Sequence, residues 1–258
     1  MSKQNYRYIY GPVPSWRLGS SLGVDPISGD EKACTFDCVY CQIGRTRPLT
    51  EERKVFVPTE KITEEMAFLP PLKIDYITFS GTGEPTLAAN LGEMIRAVRK
   101  IRPEKIAVLT NSSLMHREDV MKDLFLADLV VAKLDASSQD IFELVNHPVR
   151  GIKIDAVIRA IKDFRSCYKG KLALQIMFIE ENKVYAKKIA HIAKEICPDE
   201  VQLNTPLRPC GIEPLTKEEM AALERYFSGL NTVSVYRAEK KEVKPISSKD
   251  TLKRRGKV

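Results

Sequence analysis

An α/β fold, either a doubly wound sheet or an incomplete α/β barrel, is the architecture this 258-residue sequence predicts. Short β-branched runs alternate with longer segments whose apolar residues fall three and four apart. Two of the runs, LVVAKL and LALQIMFI, are apolar along nearly their whole length, the pattern of parallel strands buried on both faces. Parallel strands joined by helices need right-handed crossovers, and either architecture carries its ligand site at the carboxyl ends of the strands.

Residues 1–19 read as a segment preceding the first strand, for which SLGVDP is the candidate. A periodic stretch at 60–69 leads into KIDYITFS (73–80), and one at 88–102 leads into KIAVLT (105–110). The helix-like segment 116–124 precedes DLVVAKLD (128–135). Two more, 138–146 and 151–166, precede LALQIMFI (172–179), and 183–196 precedes EVQLNT (200–205). TKEEMAALERYF (216–227) carries Thr216 as N-cap with Glu219 three residues on, a capping box. TVSVYR (232–237) is a final strand candidate, and no internal repeat or boundary interrupts residues 1–236.

Composition narrows the class. With 43% apolar residues, a chain of this length buries roughly three quarters of its unfolded surface. No run approaches the ~18 apolar residues of a membrane span and no signal-like core follows the start, so a soluble cytoplasmic protein without membrane contact is expected. Six cysteines, three of them scattered at Cys167, Cys197 and Cys210, make no disulfide framework. Of the formal net charge of +7, +6 falls within residues 237–258. The basic character therefore belongs to this C-terminal stretch, expected as a solvated and partly disordered tail, and not to the surface at large.

Polar residues gather where the strands end. KIDYITFS runs into SGTGEPTL, where Gly81 and Gly83 bracket Thr82, leave backbone N–H groups accessible and permit a turn with positive φ. Pro85 biases Glu84 away from helical geometry, so its carboxylate stands at the strand exit beside those amides. That pairing suits an ammonium or a zwitterionic amino acid, or simply a tight turn with a solvated Glu84. Asn111 and Ser112 end the next strand and serve either a ligand or the cap of a following helix. Lys133, Asp135 and Gln175 interrupt otherwise apolar strands; burying them is costly unless they face a lumen or one another, as a Lys133–Asp135 ion pair would. Asn204 ends the last strand of the series.

Cys34, Cys38 and Cys41 fall within eight residues, in EKACTFDCVYCQIGR. Structural zinc takes four ligands, and neither the scattered cysteines nor His116, His147 and His191 are spaced as a partner pair. A four-iron cluster on three thiolates instead keeps one iron open to an outside ligand. CTFDCVYC, with the aromatic Tyr40 before the third cysteine, resembles the C-x3-C-x-aromatic-C signature of the radical S-adenosylmethionine enzymes. SGTGEP resembles that family's glycine-glutamate motif at the second strand, and the likeness extends over about residues 20–205.

The resemblance implies a partial (β/α)6 barrel of the radical SAM type. It implies a 4Fe-4S cluster on Cys34, Cys38 and Cys41 whose open iron is chelated by S-adenosylmethionine, with Tyr40 near the adenine and Gly83 and Glu84 at the methionine ammonium. It further implies that Gly81, Asn111, Lys133, Asp135, Gln175 and Asn204 contribute to cofactor binding, and that ferredoxin or flavodoxin is the electron donor. YGPVPSWRLGSSLGVDP and CVYCQIGRT look most like the iron-sulfur oxidoreductases related to the tRNA wyosine synthase, although this chain lacks the additional N-terminal cysteines of the wyosine enzymes. The expected substrate is a small metabolite, an RNA base, or a glycine on a partner enzyme, as for a glycyl-radical-enzyme activase. Arg17, Arg45, Arg47, Arg150 and Arg208 lie in segments expected near the barrel mouth, where they would hold a phosphate or carboxylate or else be solvated. The rival of another class is a zinc-stabilised nucleic-acid-binding protein using the basic tail. Cys210 reads as a substrate-side thiol, an extra metal ligand or an incidental loop residue.

Overall fold

The structure, a computed structural model, describes residues 6–29, 31–239 and 241–255. In chain order it contains β1 (Ile9–Ser15), β2 (Gly19–Val24), α1 (Thr59–Ala67), β3 (Tyr76–Phe79), α2 (Leu91–Ile101), β4 (Lys105–Thr110), α3 (Glu118–Leu124), β5 (Leu129–Lys133), α4 (Gln139–Asn146), α5 (Ile154–Cys167), β6 (Lys171–Met177), α6 (Glu180–Lys183), α7 (Ala186–Ile196), β7 (Glu200–Asn204), α8 (Lys217–Glu224), β8 (Thr232–Ser234) and α9 (Ser248–Arg255). The strands join one sheet in the order β1 to β8. β1 runs antiparallel to β2, and every later neighbour pair is parallel. The sheet curls into a half-barrel. Strands β2 to β7 with their helices form the (β/α)6 unit the sequence predicts, and β8 adds one more parallel strand.

Alternation along each strand separates the two faces. Outward-facing Leu22, Val24, Ile77, Phe79, Ile106, Val108, Val130, Leu172, Leu174, Ile176, Val201 and Leu203 pack into the main core under the helices. Each such side chain contributes roughly 1.5–3 kcal/mol when fully buried. The opposite parity faces the lumen, where Leu18, Ala107, Leu129, Val131 and Ala173 form a small apolar floor. Continuing that parity toward the carboxyl ends reaches Ser80, Asn111, Lys133, Asp135, Gln175 and Asn204. The helices answer with one-sided patterns: α2 buries Leu91, Met94, Ile95 and Val98, one face at helical spacing. Thr216 and Glu219 form the expected capping box at α8.

Two terminal expectations are corrected. The segment preceding SLGVDP is not wholly outside the sheet, since Ile9–Ser15 pairs with Gly19–Val24. Pro12 and Pro14 hide this strand from pattern reading; at a sheet edge with an irregular register they cost no central ladder bonds. Glu65 of α1 fastens its start, accepting from the backbone N–H groups of Arg7, Tyr8 and Ile9 at 2.6–2.9 Å. The C-terminal stretch 237–258, expected as a solvated tail, carries α9 packed against β1 in its described part. Ile246 N–H donates to the Gly11 carbonyl (2.6 Å), Gly11 N–H donates to Thr251 Oγ1 (3.1 Å), and the Arg254 side chain is 2% exposed beside Asp25. The packing follows from the edge: β1 offers unpaired backbone groups, and Asp25 offers a buried carboxylate needing a cation.

Candidate active site

The loop leaving β2 carries the three cysteines and is stitched to α4 and to the turn after it. Asp37 N–H donates to the Asn146 carbonyl (3.1 Å), Val39 N–H to the Val145 carbonyl (3.0 Å), and Val149 N–H to the Thr35 carbonyl (2.9 Å). Phe36 meets Phe142 edge to face at 5.1 Å. A turn in which Cys41 N–H donates to the Cys38 carbonyl (3.0 Å) closes the far end.

Each sulfur has its own N–H donor. Asn111 Nδ2 approaches Cys34 Sγ at 3.5 Å, Asn146 Nδ2 approaches Cys38 Sγ at 3.4 Å, and Lys32 Nζ lies 3.1 Å from Cys41 Sγ. Burial pushes the Cys34 thiol up to about 12, with the Glu84 carboxylate adding to it, and burial likewise raises Cys38. A metal or cluster is what draws such thiols out as thiolates. Three thiols of one loop, each with its own donor, form a set suited to a polynuclear iron-sulfur cluster.

The lumen-facing polar residues divide into two groups. Around Cys38, Tyr40 donates its hydroxyl to Asp135 Oδ2, and Asn146 Nδ2 reaches both the Tyr40 oxygen (3.1 Å) and Asp135 Oδ2 (3.0 Å). Met177 N–H donates to Asp135 Oδ1 (2.7 Å). Lys133 Nζ sits 4.7 Å from the Tyr40 ring centroid and 3.6 Å from Asp135 Oδ2. The Lys133–Asp135 ion pair expected as one alternative is therefore present, and Asp135 is engaged on both oxygens by the protein. Burial, with Asp135 adding to it, holds the Tyr40 hydroxyl well above its ordinary value and protonated as the donor. Gln175 lies beside Lys133 in the β5–β6 ladder.

The GTGE turn meets the cysteine loop directly. A Cβ at Gly83 would stand 1.8 Å from the Ala33 carbonyl oxygen, so this glycine is required by close approach and not by the positive φ anticipated for the turn. Gly81 does take positive φ (+136°), with Asp25 packed against it. Glu84 N–H donates to the same Ala33 carbonyl (3.1 Å). Its carboxylate is buried: Oε1 accepts from Thr86 N–H, Thr86 Oγ1 and Thr110 Oγ1 (2.7–3.1 Å), while Oε2 accepts from Asn111 N–H (2.7 Å). Burial raises the Glu84 pKa against those hydrogen bonds. With one donor among the described residues, Oε2 keeps capacity for a cation. Asn111 thus links Glu84 to Cys34. Neither Asn111 nor Ser112 caps a helix, since α3 begins at Glu118 after an intervening turn.

The second group surrounds a lumen cavity of about 530 Å³. Gly81 and Asn204 line it together with Gln42, next to the third cysteine, and with Arg17 and Arg208. Arg45, Arg47 and Arg150 are exposed and lie outside its lining. Cys210 is half-buried in the loop after β7, its thiol donating to the Ile212 carbonyl (3.4 Å). Lys32, Asn146, Asp25 and Arg254 were not legible as site residues. Lys32, two positions before Cys34, had a neighbourhood signal, whereas the other three reach the site only through the fold.

A curled half-barrel with a three-cysteine loop after its first parallel strand and a glycine-glutamate turn after the second defines a class of enzymes. The chain belongs to the radical SAM superfamily, whose family model matches residues 32–193. The UPF0026 protein slr1464 of Synechocystis is 40% identical over 211 residues, spanning 81% of this chain and 78% of that protein, which sets the chain among the UPF0026 proteins. Solved structures share the fold at low identity. Streptococcus suis SuiB bound to its precursor peptide SuiA superposes with a TM-score of 0.63 at 14% identity, over 84% of this chain and 49% of SuiB. Archaeal TYW1 superposes at 0.59 with 15% identity, over 83% of this chain and 74% of its own. This chain spans about half the length of SuiB. No helix among the described residues is long and apolar enough to cross a membrane.

Proposed function

We propose that this radical SAM enzyme binds a 4Fe-4S cluster on Cys34, Cys38 and Cys41 and uses it to cleave S-adenosylmethionine reductively. When bound, the cluster would pass one electron from the external donor to the sulfonium, the chemistry that would yield methionine and a 5'-deoxyadenosyl radical able to take a hydrogen atom from the substrate. The observation that carries this reading is the interlock of the two motifs: Gly83 packs on Ala33, and Asn111 joins Glu84 to the Cys34 sulfur. Glu84 Oε2 is the acceptor for the methionine ammonium. Tyr40, held by Asp135, Asn146 and Lys133, supplies an aromatic wall on the adenine side. Gln175 and Asn204 extend the polar lining along the lumen. Ferredoxin or flavodoxin is the electron donor.

The test is anaerobic reconstitution of the full chain, followed by iron and acid-labile sulfide analysis and assay of 5'-deoxyadenosine after reduction. The expected result is a brown, oxygen-labile protein that forms 5'-deoxyadenosine, and a Cys34→Ala/Cys38→Ala/Cys41→Ala variant that does not. Cleavage by that triple variant would overturn the reading. Stoichiometric zinc without sulfide would favour the zinc-stabilised nucleic-acid-binding protein instead.

A further inference from the structure

We propose that the outer side of the cysteine loop is the docking surface for a small acidic electron-transfer protein, held by Arg45, Arg47, Arg150 and Lys153. The proposal rests on the radical SAM reading for the need of an electron; the surface itself stands on geometry. Three segments lie side by side there: Cys34 pairs with Leu49 on one flank, and Phe36 pairs antiparallel with Pro148 on the other. Backbone bonds lock this small ribbon. Cys34 N–H donates to the Pro48 carbonyl (3.3 Å), Thr50 N–H to the Cys34 carbonyl (3.0 Å) and Val149 N–H to the Thr35 carbonyl (2.9 Å). Thr46 is buried, its hydroxyl donating to the Phe36 carbonyl (2.7 Å) and its N–H to Asp37 Oδ1 (2.8 Å), while Arg45 and Arg47 on either side of it are exposed.

Arg150 and Lys153, in the turn that continues from Pro148, are exposed as well. Among the described residues none of these four cations forms an ion pair or a side-chain hydrogen bond. Residues 44–50 and 147–153 contain no aspartate or glutamate. Asp37, in the segment between them, is half-buried and already accepts the Thr46 N–H, so it offsets one charge at most. Unpaired cations on a locked ribbon attract an acidic surface and raise its rate of encounter. Leu49, 43% exposed next to Pro48, gives such a partner an apolar contact among the charges. A Cβ at Gly44 or Gly151 would meet nothing within 4 Å, so both turns beside the ribbon leave room for another backbone.

Placement selects the partner. The substrate side of the site is the lumen, from which Asn111 reaches Cys34 Sγ (3.5 Å). The ribbon is the other side of the same loop, and its middle segment carries Cys34 itself. A substrate has no use for that side, whereas an electron donor does. In the encounter the donor's reduced flavin or iron-sulfur group is oxidised by one electron and the proposed cluster is reduced by one, with no bond to this chain made or broken.

The test follows 5'-deoxyadenosine formation by the reconstituted full chain against the concentration of reduced flavodoxin, then of reduced ferredoxin, and in parallel with dithionite, which needs no docking surface. We expect saturation with at least one protein donor, at a half-saturating concentration that rises with salt. Arg47→Glu/Arg150→Glu should raise that concentration about tenfold or more and leave dithionite-driven cleavage unchanged. Lys187→Glu, at an exposed cation on α7, should alter neither. Arg47→Gln/Arg150→Gln should give a smaller rise in the same direction, and it serves if the Glu variant fails to fold. The proposal is overturned if the folded variant keeps the native response to both protein donors, or if its cleavage falls equally with dithionite. A variant that keeps the donor response but loses binding of a single-stranded RNA oligomer would assign the surface to nucleic acid and overturn it too. A native chain that cleaves with dithionite yet saturates with neither protein sinks only this proposal, whereas one that cleaves with no reductant sinks the cofactor reading beneath it.

Discussion

Asp25 carries a titration that reports on the wall between the lumen and α9. Burial pushes its carboxyl up to about 6 from 3.8, against the pull of Arg254, the Thr82 hydroxyl and the Thr82 and Ile27 backbone amides. An acid whose folded value is raised contributes stability fully below its unfolded value and loses it as pH rises through the folded one. Urea unfolding should therefore show about 3 kcal/mol of stability lost between roughly pH 4 and pH 7 on this account, and Asp25→Asn should flatten that part of the profile. A profile identical in the variant would remove Asp25 from the explanation. Lys32 makes a separate residue-scale prediction. Its ammonium lies 3.1 Å from Cys41 Sγ and would favour the reduced, more negative state of the proposed cluster. Lys32→Met should shift the reduction potential to more negative values in a spectroscopically monitored redox titration, a readout that a purely structural lysine would leave in place.

Between elements, Arg53 is the tie that connects the exit of the cysteine loop to α3. Its guanidinium donates to the Thr86 and Ala88 carbonyls (2.8 and 2.9 Å) and pairs with Asp119 (2.6 Å) and Asp123 (2.5 Å), with a side chain 6% exposed. Replacing it by Met leaves Asp123 half-buried without its cation, and we expect a cost of about 3 kcal/mol in urea unfolding. An unchanged midpoint would show that water replaces the pair freely. Arg53 drew no notice in the sequence because its four partners lie beyond any local window. The six strands of the barrel were legible for the opposite reason. Val130 and Leu174 announce themselves as members of short runs apolar along nearly their whole length, and Glu84 by the proline beside it. β1 was missed because its two prolines argue locally against a strand, and only its place at the edge makes them harmless.

For the molecule as a whole, the first and last elements among the described residues, β1 and α9, meet. α9 covers the β1 edge and delivers Arg254 to Asp25, so a truncation after Glu242 should both expose that edge and leave the carboxylate unpaired. The expected outcome at neutral pH is a loss of about 3 kcal/mol and concentration-dependent self-association, read by urea unfolding and sedimentation. The loss should shrink below about pH 5, where Asp25 is protonated. Equal stability with and without the segment would mean that the contact contributes nothing. Composition had assigned residues 237–258 to solvent because nine of them are Lys or Arg. Composition cannot register that one of those arginines has a buried partner near the opposite terminus. The cysteine spacing and the GTGEP motif were readable in isolation, yet their junction was not. With 1.8 Å between a would-be Cβ at Gly83 and the Ala33 oxygen, the two loops form one fitted joint. Anyone transplanting this chain's cysteine segment onto another half-barrel must carry the glycine turn with it, and a chimera exchanging either alone would inherit a collision where the two loops meet.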